Sequence, residues 1–308
     1  MALTFMFYFF PVLNTLPSLP QIRLPCWYFS LAVLCFLALQ RKLSVLHCAA
    51  VAAAVALKFW LDLRTGEVTH IVFSSMIILN AALFCRRVVL VVACIVVSLG
   101  VISSYGYIKY YYRVELSNRL VNIYEFSPDL TIQSLRASFS SMARRSSPAL
   151  LTSHVMARTP SPVAFEDRNP LIDAVRNHVP RAFWPSKPRE THGNAFGRRY
   201  GVVGASDKVT SWNICWPSDF YITGGFLWAL SAALFIGGLL GLLAVAIARM
   251  RNRALSFGLF SATIFPLFFQ ESNFSVMTGS LLWGGAFALA AHWTARLLIS
   301  RVVARKSG

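Results

Sequence analysis

Residues 220–248 read FYITGGFLWALSAALFIGGLLGLLAVAIA, a run without one charged side chain. An α-helix needs about 20 apolar residues to cross a hydrocarbon core of roughly 30 Å. Backbone amides in lipid find no water, so each must be satisfied within its own segment, and helix is the structure that does this. The run therefore predicts a membrane-spanning helix. A β-barrel would need strands of alternating polarity; stretches such as 49–56, AAVAAAVA, do not alternate.

On either side lie further apolar blocks at 3–16, 24–40, 43–61, 68–85, 88–107, 254–270 and 275–299. Together they predict an all-α integral membrane protein with about eight transmembrane helices. The first block is short, interrupted by Pro11 and followed by Pro17 and Pro20. It lacks the basic n-region and small-residue cleavage site of a signal peptide. Composition agrees with the class: 56% of the 308 residues are hydrophobic and 13% charged, with a mean hydropathy of +0.57. A soluble domain carries about 25% charge.

Short-loop charges orient the chain. Arg41-Lys42, Arg86-Arg87, the run Arg249, Arg251 and Arg253, and the tail Arg301, Arg305 and Lys306 are expected on the cytoplasmic side. An even number of spans separates each cluster from the next, so one topology satisfies all of them. Both termini are then cytoplasmic if the first block spans, and the tips 61–67 and 271–273 face outward. Three regions follow: an N-terminal bundle (1–107), a large outer loop (108–219), and a C-terminal bundle with a basic tail (220–308). The net charge of +17 is then accounted for by cytoplasmic anchors and a basic loop, and no nucleic-acid partner is expected.

Structureless loops beyond about 15 residues are uncommon, so 108–219 should carry its own structure. Apolar residues at helical spacing over 114–126 and 131–145 predict two helices. Asn169-Pro170 predicts the start of a third, with proline at its first position, running to about His178. These stripes are expected to pack on the bundle or lie at the membrane surface. Five cysteines lie in apolar segments (Cys26, Cys35, Cys48, Cys85, Cys94) and Cys215 lies in the loop. Without a paired spacing or a CxxC, they indicate neither a disulfide framework nor a zinc site.

The densest group of unusual residues is Val179-Pro180-Arg181-Ala182-Phe183-Trp184-Pro185-Ser186-Lys187-Pro188-Arg189. Its prolines exclude regular helix, and Phe183 and Trp184 suit the headgroup level. Arginine offers phosphate a planar fork and lysine a mobile point charge. Arg181, Lys187 and Arg189 therefore suit a lipid-linked pyrophosphate, or equally an anchor that binds ordinary anionic headgroups. Downstream, Gly193, Gly197, Gly201 and Gly204 are expected to supply flexible backbone, and Arg198 and Arg199 two more cations.

The proline–arginine–tryptophan stretch resembles the "PR-x-hydrophobic-WP-x-KP" signature of Wzy-type O-antigen and exopolysaccharide polymerases. A second stretch, Ser211, then Pro217-Ser218-Asp219-Phe220-Tyr221, then Gly224-Gly225-Phe226, is similar to that family's "S…E-x-Y…fG-x-hydrophobic-G" segment, with Asp219 at the acidic position. The likeness covers about 150–245. Such polymerases usually run longer, with more spans before the loop, so the N-terminal part here reads as truncated or divergent.

The resemblance implies a GT-C-like architecture in the bacterial inner membrane, with the large loop periplasmic. It implies joining of oligosaccharide repeat units carried on undecaprenyl pyrophosphate, with a chain-length regulator as partner. Negative charge growing on the leaving pyrophosphate would be stabilised by fixed cations, and the acceptor hydroxyl could lose its proton to a carboxylate or histidine. On this reading Arg181, Lys187, Arg189, Arg198 and Arg199 bind pyrophosphate, and Arg181, Asp219 and His192 act in catalysis, with no metal or cofactor required. Plainer roles stand beside these: a first-turn acid complementing the helix dipole for Asp219, an exposed loop histidine for His192, a solvated face for Arg198 and Arg199. Glu271 reads as a polar hairpin tip, His70 as an interfacial residue, and Lys58 as a side chain snorkelling outward along its helix. An O-antigen ligase would use the same donor; a flippase, or a non-catalytic membrane scaffold, is the reading of another class.

Overall fold

A computed structural model describes residues 1–10, 23–65, 68–110, 136, 140, 148–179, 183–187, 192–206, 212, 214–268, 273–279, 281, 284–286, 289–290 and 293–294. Among them there is no strand. The helices are α1 (Ala2–Phe9), α2 (Arg23–Leu39), α3 (Val45–Thr65), α4 (Val68–Phe84), α5 (Val88–Tyr110), α6 (Pro148–Met156), α7 (Pro170–His178), α8 (His192–Arg199), α9 (Trp216–Ala248), α10 (Arg253–Thr263) and α11 (Phe274–Thr278). The chain divides into one unit built on residues 30–147 and another on residues 2–29 and 148–308.

The helices α2 to α5 follow the apolar blocks, and the basic pairs Arg41-Lys42 and Arg86-Arg87 end α2 and α4. Arg41 and Arg86 take left-handed φ values of 58° and 54°. At each turn the next amide reaches back to a helix carbonyl, Lys42 N to Leu37 O at 3.0 Å and Arg87 N to Ala82 O at 2.8 Å. This is the double-bonded stop that usually employs glycine. Lys58 corrects the expectation of snorkelling: it is fully buried in α3 and ion-paired with the equally buried Asp62 one turn on. A buried acid at i+4 gives the ammonium a partner inside the bundle, which removes the reason to reach for water.

Two described helices have stretches long and apolar enough to cross a membrane, Val45–Leu63 in α3 and Trp216–Ala248 in α9, and only 17% of each apolar window is buried within the chain itself. The core helix of a soluble protein would be mostly buried; these faces are apolar and outward, as lipid requires.

In the second unit α9 is not one straight rod. Gly225 sits at φ 77°, ψ −169°, and breaks the helix two turns from its start. The region expected to span at 254–270 is α10 followed by a 3-10 turn, Phe265–Phe268, where Pro266 has no amide to continue the α-helical ladder. α7 begins as the Asn-Pro pair predicts: the Asn169 side chain accepts from Leu171 N at 2.9 Å, and Pro170 is the first helical residue. The helices expected at 114–126 and 131–145 fall outside the described residues, except for helical positions Arg136 and Ser140.

His192–Arg199 corrects another expectation, since the glycine-rich stretch forms a helix rather than flexible backbone. A Cβ on Gly197 would lie 2.9 Å from Val203 Cγ2, so glycine there permits close packing. Gly201, at φ 67°, closes the helix end, with Val202 N donating to Gly197 O at 2.8 Å.

Candidate functional site

The loop residues after 148 fold around the start of α9. Val155 of α6, Phe196 of α8, Tyr200, Ile214 and Ile222 form a buried apolar cluster with Leu151, Trp212 and Tyr221 against it. Its polar groups are satisfied. The Tyr200 hydroxyl and Thr159 Oγ1 lie 2.6 Å apart, and Tyr221 donates to Thr159 O at 3.1 Å. Burial pushes the Tyr200 phenol above its usual range. Thr152, Cys215 and Ser218 form a second polar group, with Ser218 Oγ 2.7 Å from Thr152 Oγ1 and 3.0 Å from Cys215 Sγ.

Between α6 and α7, residues 163–169 lay charged side chains against α9. Glu166 is fixed by its own backbone, N to Ile222 O at 2.8 Å. Arg168 is the hub. Its Nε donates to Glu166 Oε2 at 2.6 Å, its Nη1 lies 3.5 Å from Asp173 Oδ2, and its Nη2 donates to Asp219 Oδ1. Glu166 Oε1 also meets Arg199 Nη1 at 3.2 Å, and Arg199 Nη2 donates to Ala164 O. Burial alone would lower the Arg168 pKa, but the Asp219 carboxylate and the bonds to Asp219 and Glu166 outweigh it and hold the guanidinium above its usual value. Arg168 is thus a fixed cation.

Asp219 is fully buried in the first turn of α9, where a negative charge complements the helix dipole. Its Oδ2 accepts from Phe274 N, the first residue of α11, at 3.0 Å. One carboxylate therefore joins the starts of two helices and an arginine of the loop. With both oxygens engaged in this way, the geometry is that of a group orienting an arginine.

The other sequence-derived residues are distributed as follows. Lys187 is half-buried, and its ammonium donates to Asn177 O at 2.7 Å and Val179 O at 3.1 Å. It binds the C-terminal carbonyls of α7, the negative end of that helix, and so folds the Phe183–Lys187 turn back on α7. Arg199 is tied to Glu166 and Ala164, whereas Arg198 is exposed on α8. His192 is the first residue of α8. His70 lies half-buried in α4. Arg181, Arg189 and Glu271 lie outside the described residues.

Sequence reasoning passed over Arg168, Glu166 and Asp173. A signal was present: the chain holds only 12 acidic residues, and Glu166, Asp167 and Asp173 crowd around one arginine just before the Asn-Pro helix start. The second family-like stretch does acquire a physical account. It is where α9 is latched by Asp219, hydroxyl-bonded through Ser218 and kinked at Gly225.

No protein-family model, no curated protein and no solved structure matches the chain.

Proposed function

We propose that the chain is a multi-spanning inner-membrane glycosyltransferase that polymerises oligosaccharide repeat units carried on undecaprenyl pyrophosphate. In this reading about eight helices span the bilayer, the termini are cytoplasmic, and the loop 108–219 works at the periplasmic face. Arg181, Arg189 and Arg198 neutralise the leaving pyrophosphate. Arg168 and Asp219 hold the loop on the bundle so that these cations stay at the membrane surface.

The observation that carries the reading is the fold of the basic loop around the start of α9, a long apolar helix little buried within the chain. A cation-rich cap at the end of a lipid-facing helix suits a substrate with a polyprenyl tail and a pyrophosphate head. The described part of the second stretch that resembles Wzy-type polymerases, residues 217–226, opens α9 beneath this cap.

The test is complementation of a polymerase-null host that makes the matching lipid-linked repeat unit, with wild type and Arg181→Ala at equal expression. A polysaccharide ladder on gels with wild type, collapsing to single units with Arg181→Ala, supports the proposal. Single units with wild type would overturn it and favour a ligase or a non-catalytic role.

A further inference from the structure

We propose that the outward face of α7, with Phe183 beyond its end, is an interfacial anchor seated in the headgroup layer of the outer leaflet, its cation on lipid phosphate. This rests on the membrane-spanning reading above but not on the polymerase chemistry.

α7 is amphipathic in an unusual sense. Its inner face is used by the protein: Pro170 and Ala174 are buried, Leu171 packs on the cluster of Phe220, Phe274 and Met277, and Asn177 donates to Ser275 O at 2.8 Å. The opposite face is also apolar. Ile172 is 49% exposed and Val175, one turn on, 69%. Beside them on the same stripe is Arg176, 63% exposed at its side chain and 3.6 Å from Asp173. Past the helix, Phe183 is 82% exposed, and the Lys187 bonds to Asn177 and Val179 keep its turn against the same helix end.

Height decides what covers this face. α7 packs on Phe220 in the second turn of α9 and on Phe274 at the start of α11. The outward apolar surface of α9 begins at Phe226 and Leu227, just past the break at Gly225. α7 is therefore level with the helix starts, to the loop side of that apolar surface. Apolar side chains flanked by a cation at that level match a surface that sinks about 5–10 Å into the acyl boundary while binding anionic phosphate.

The test uses the full chain in vesicles of phosphatidylethanolamine and phosphatidylglycerol, about three to one. The two cysteines that are not buried, Cys48 and Cys85, are changed to alanine. A fluorophore is then placed at Val175→Cys and, separately, at Leu234→Cys on the exposed side of α9. The lipids carry bromine either near the glycerol end of the chains or at mid-chain. The label at 175 is expected to be quenched about twofold more by the shallow bromines than by the deep ones, and the label at 234 by the deep ones. Absence of quenching at 175 overturns the proposal, whether the label is water-exposed or covered by protein. The label at 234 then separates two failures: quenched, it leaves the spanning reading standing; unquenched, both fall together.

Discussion

Arg168 and Asp219 stand 51 positions apart and meet in an ion pair whose carboxylate is fully buried, the arginine arriving from the segment between α6 and α7 and the aspartate from the first turn of α9. The pair, with Phe274 N on the second carboxylate oxygen, ties the loop to two helix starts.

Removing one member of a buried, hydrogen-bonded ion pair leaves the other charge uncompensated, at about 3–5 kcal/mol. Asp219→Ala should reach that range, because it also orphans Phe274 N. Asp219→Asn keeps an acceptor for Phe274 and should lose less. The double variant Arg168→Met/Asp219→Leu should lose less than the sum of its singles. Thermal unfolding in detergent, read as a double-mutant cycle, checks the ordering; equal losses for Asp219→Asn and Asp219→Ala would remove the Phe274 bond from the account.

Gly225 is the second point on which the start of α9 depends. At φ 77° an L side chain is strained, although a Cβ would make only ordinary contact with the Phe165 ring, at 3.5 Å. Gly225→Ala should destabilise by about 1–3 kcal/mol, since this φ/ψ region is essentially confined to glycine. Gly238→Ala, in the same helix with nothing within 4 Å of the added carbon, should be neutral or slightly stabilising, by up to about 1 kcal/mol. Unfolding midpoints of the two variants side by side give the comparison.

How far the sequence carried depends on the range of the interaction. The N-terminal helices were readable because their apolar runs end at the local stops Arg41-Lys42 and Arg86-Arg87. The α7 start was readable because Asn169 and Pro170 act on their own neighbours. By contrast, Gly225 lies inside the longest apolar run, where a glycine that bends the chain and one that only lacks a side chain look alike. Asp219 was singled out, but its arginine was not: the acids around Arg168 mark it as paired locally, while its bond to Asp219 spans 51 positions and leaves no mark of its own. Lys58 was misread for the opposite reason. Its partner Asp62 is local, yet whether the pair faces lipid or protein depends on packing.

That pair makes its own prediction. Lys58 and Asp62 are both fully buried in α3. Lys58→Met should cost about 3–5 kcal/mol by stranding the acid, and Lys58→Met/Asp62→Leu should recover most of the loss. Heat-induced aggregation of the purified chain in one detergent reports both. A snorkelling lysine would show little loss in the single variant and no recovery in the double.

The arginines at the ends of α2 and α4 occupy positions that glycine would fill at lower energy. Left-handed backbone is unfavourable by about 1–2 kcal/mol for a residue with a Cβ, so Arg41→Gly should raise the unfolding midpoint. If stability alone governed the turn, that substitution would carry no penalty. The positive-inside rule supplies the opposing demand: in the proposed topology this turn is cytoplasmic, and a cytoplasmic turn gains from carrying cations. Arg41→Gly with Lys42→Gln should therefore yield a turn that is thermally firmer and less reliably oriented. A reporter fused after residue 65 would read the second effect as an increased fraction of chains with that hairpin tip inside. Arg41→Lys, which keeps both the charge and the strained backbone, should change neither quantity.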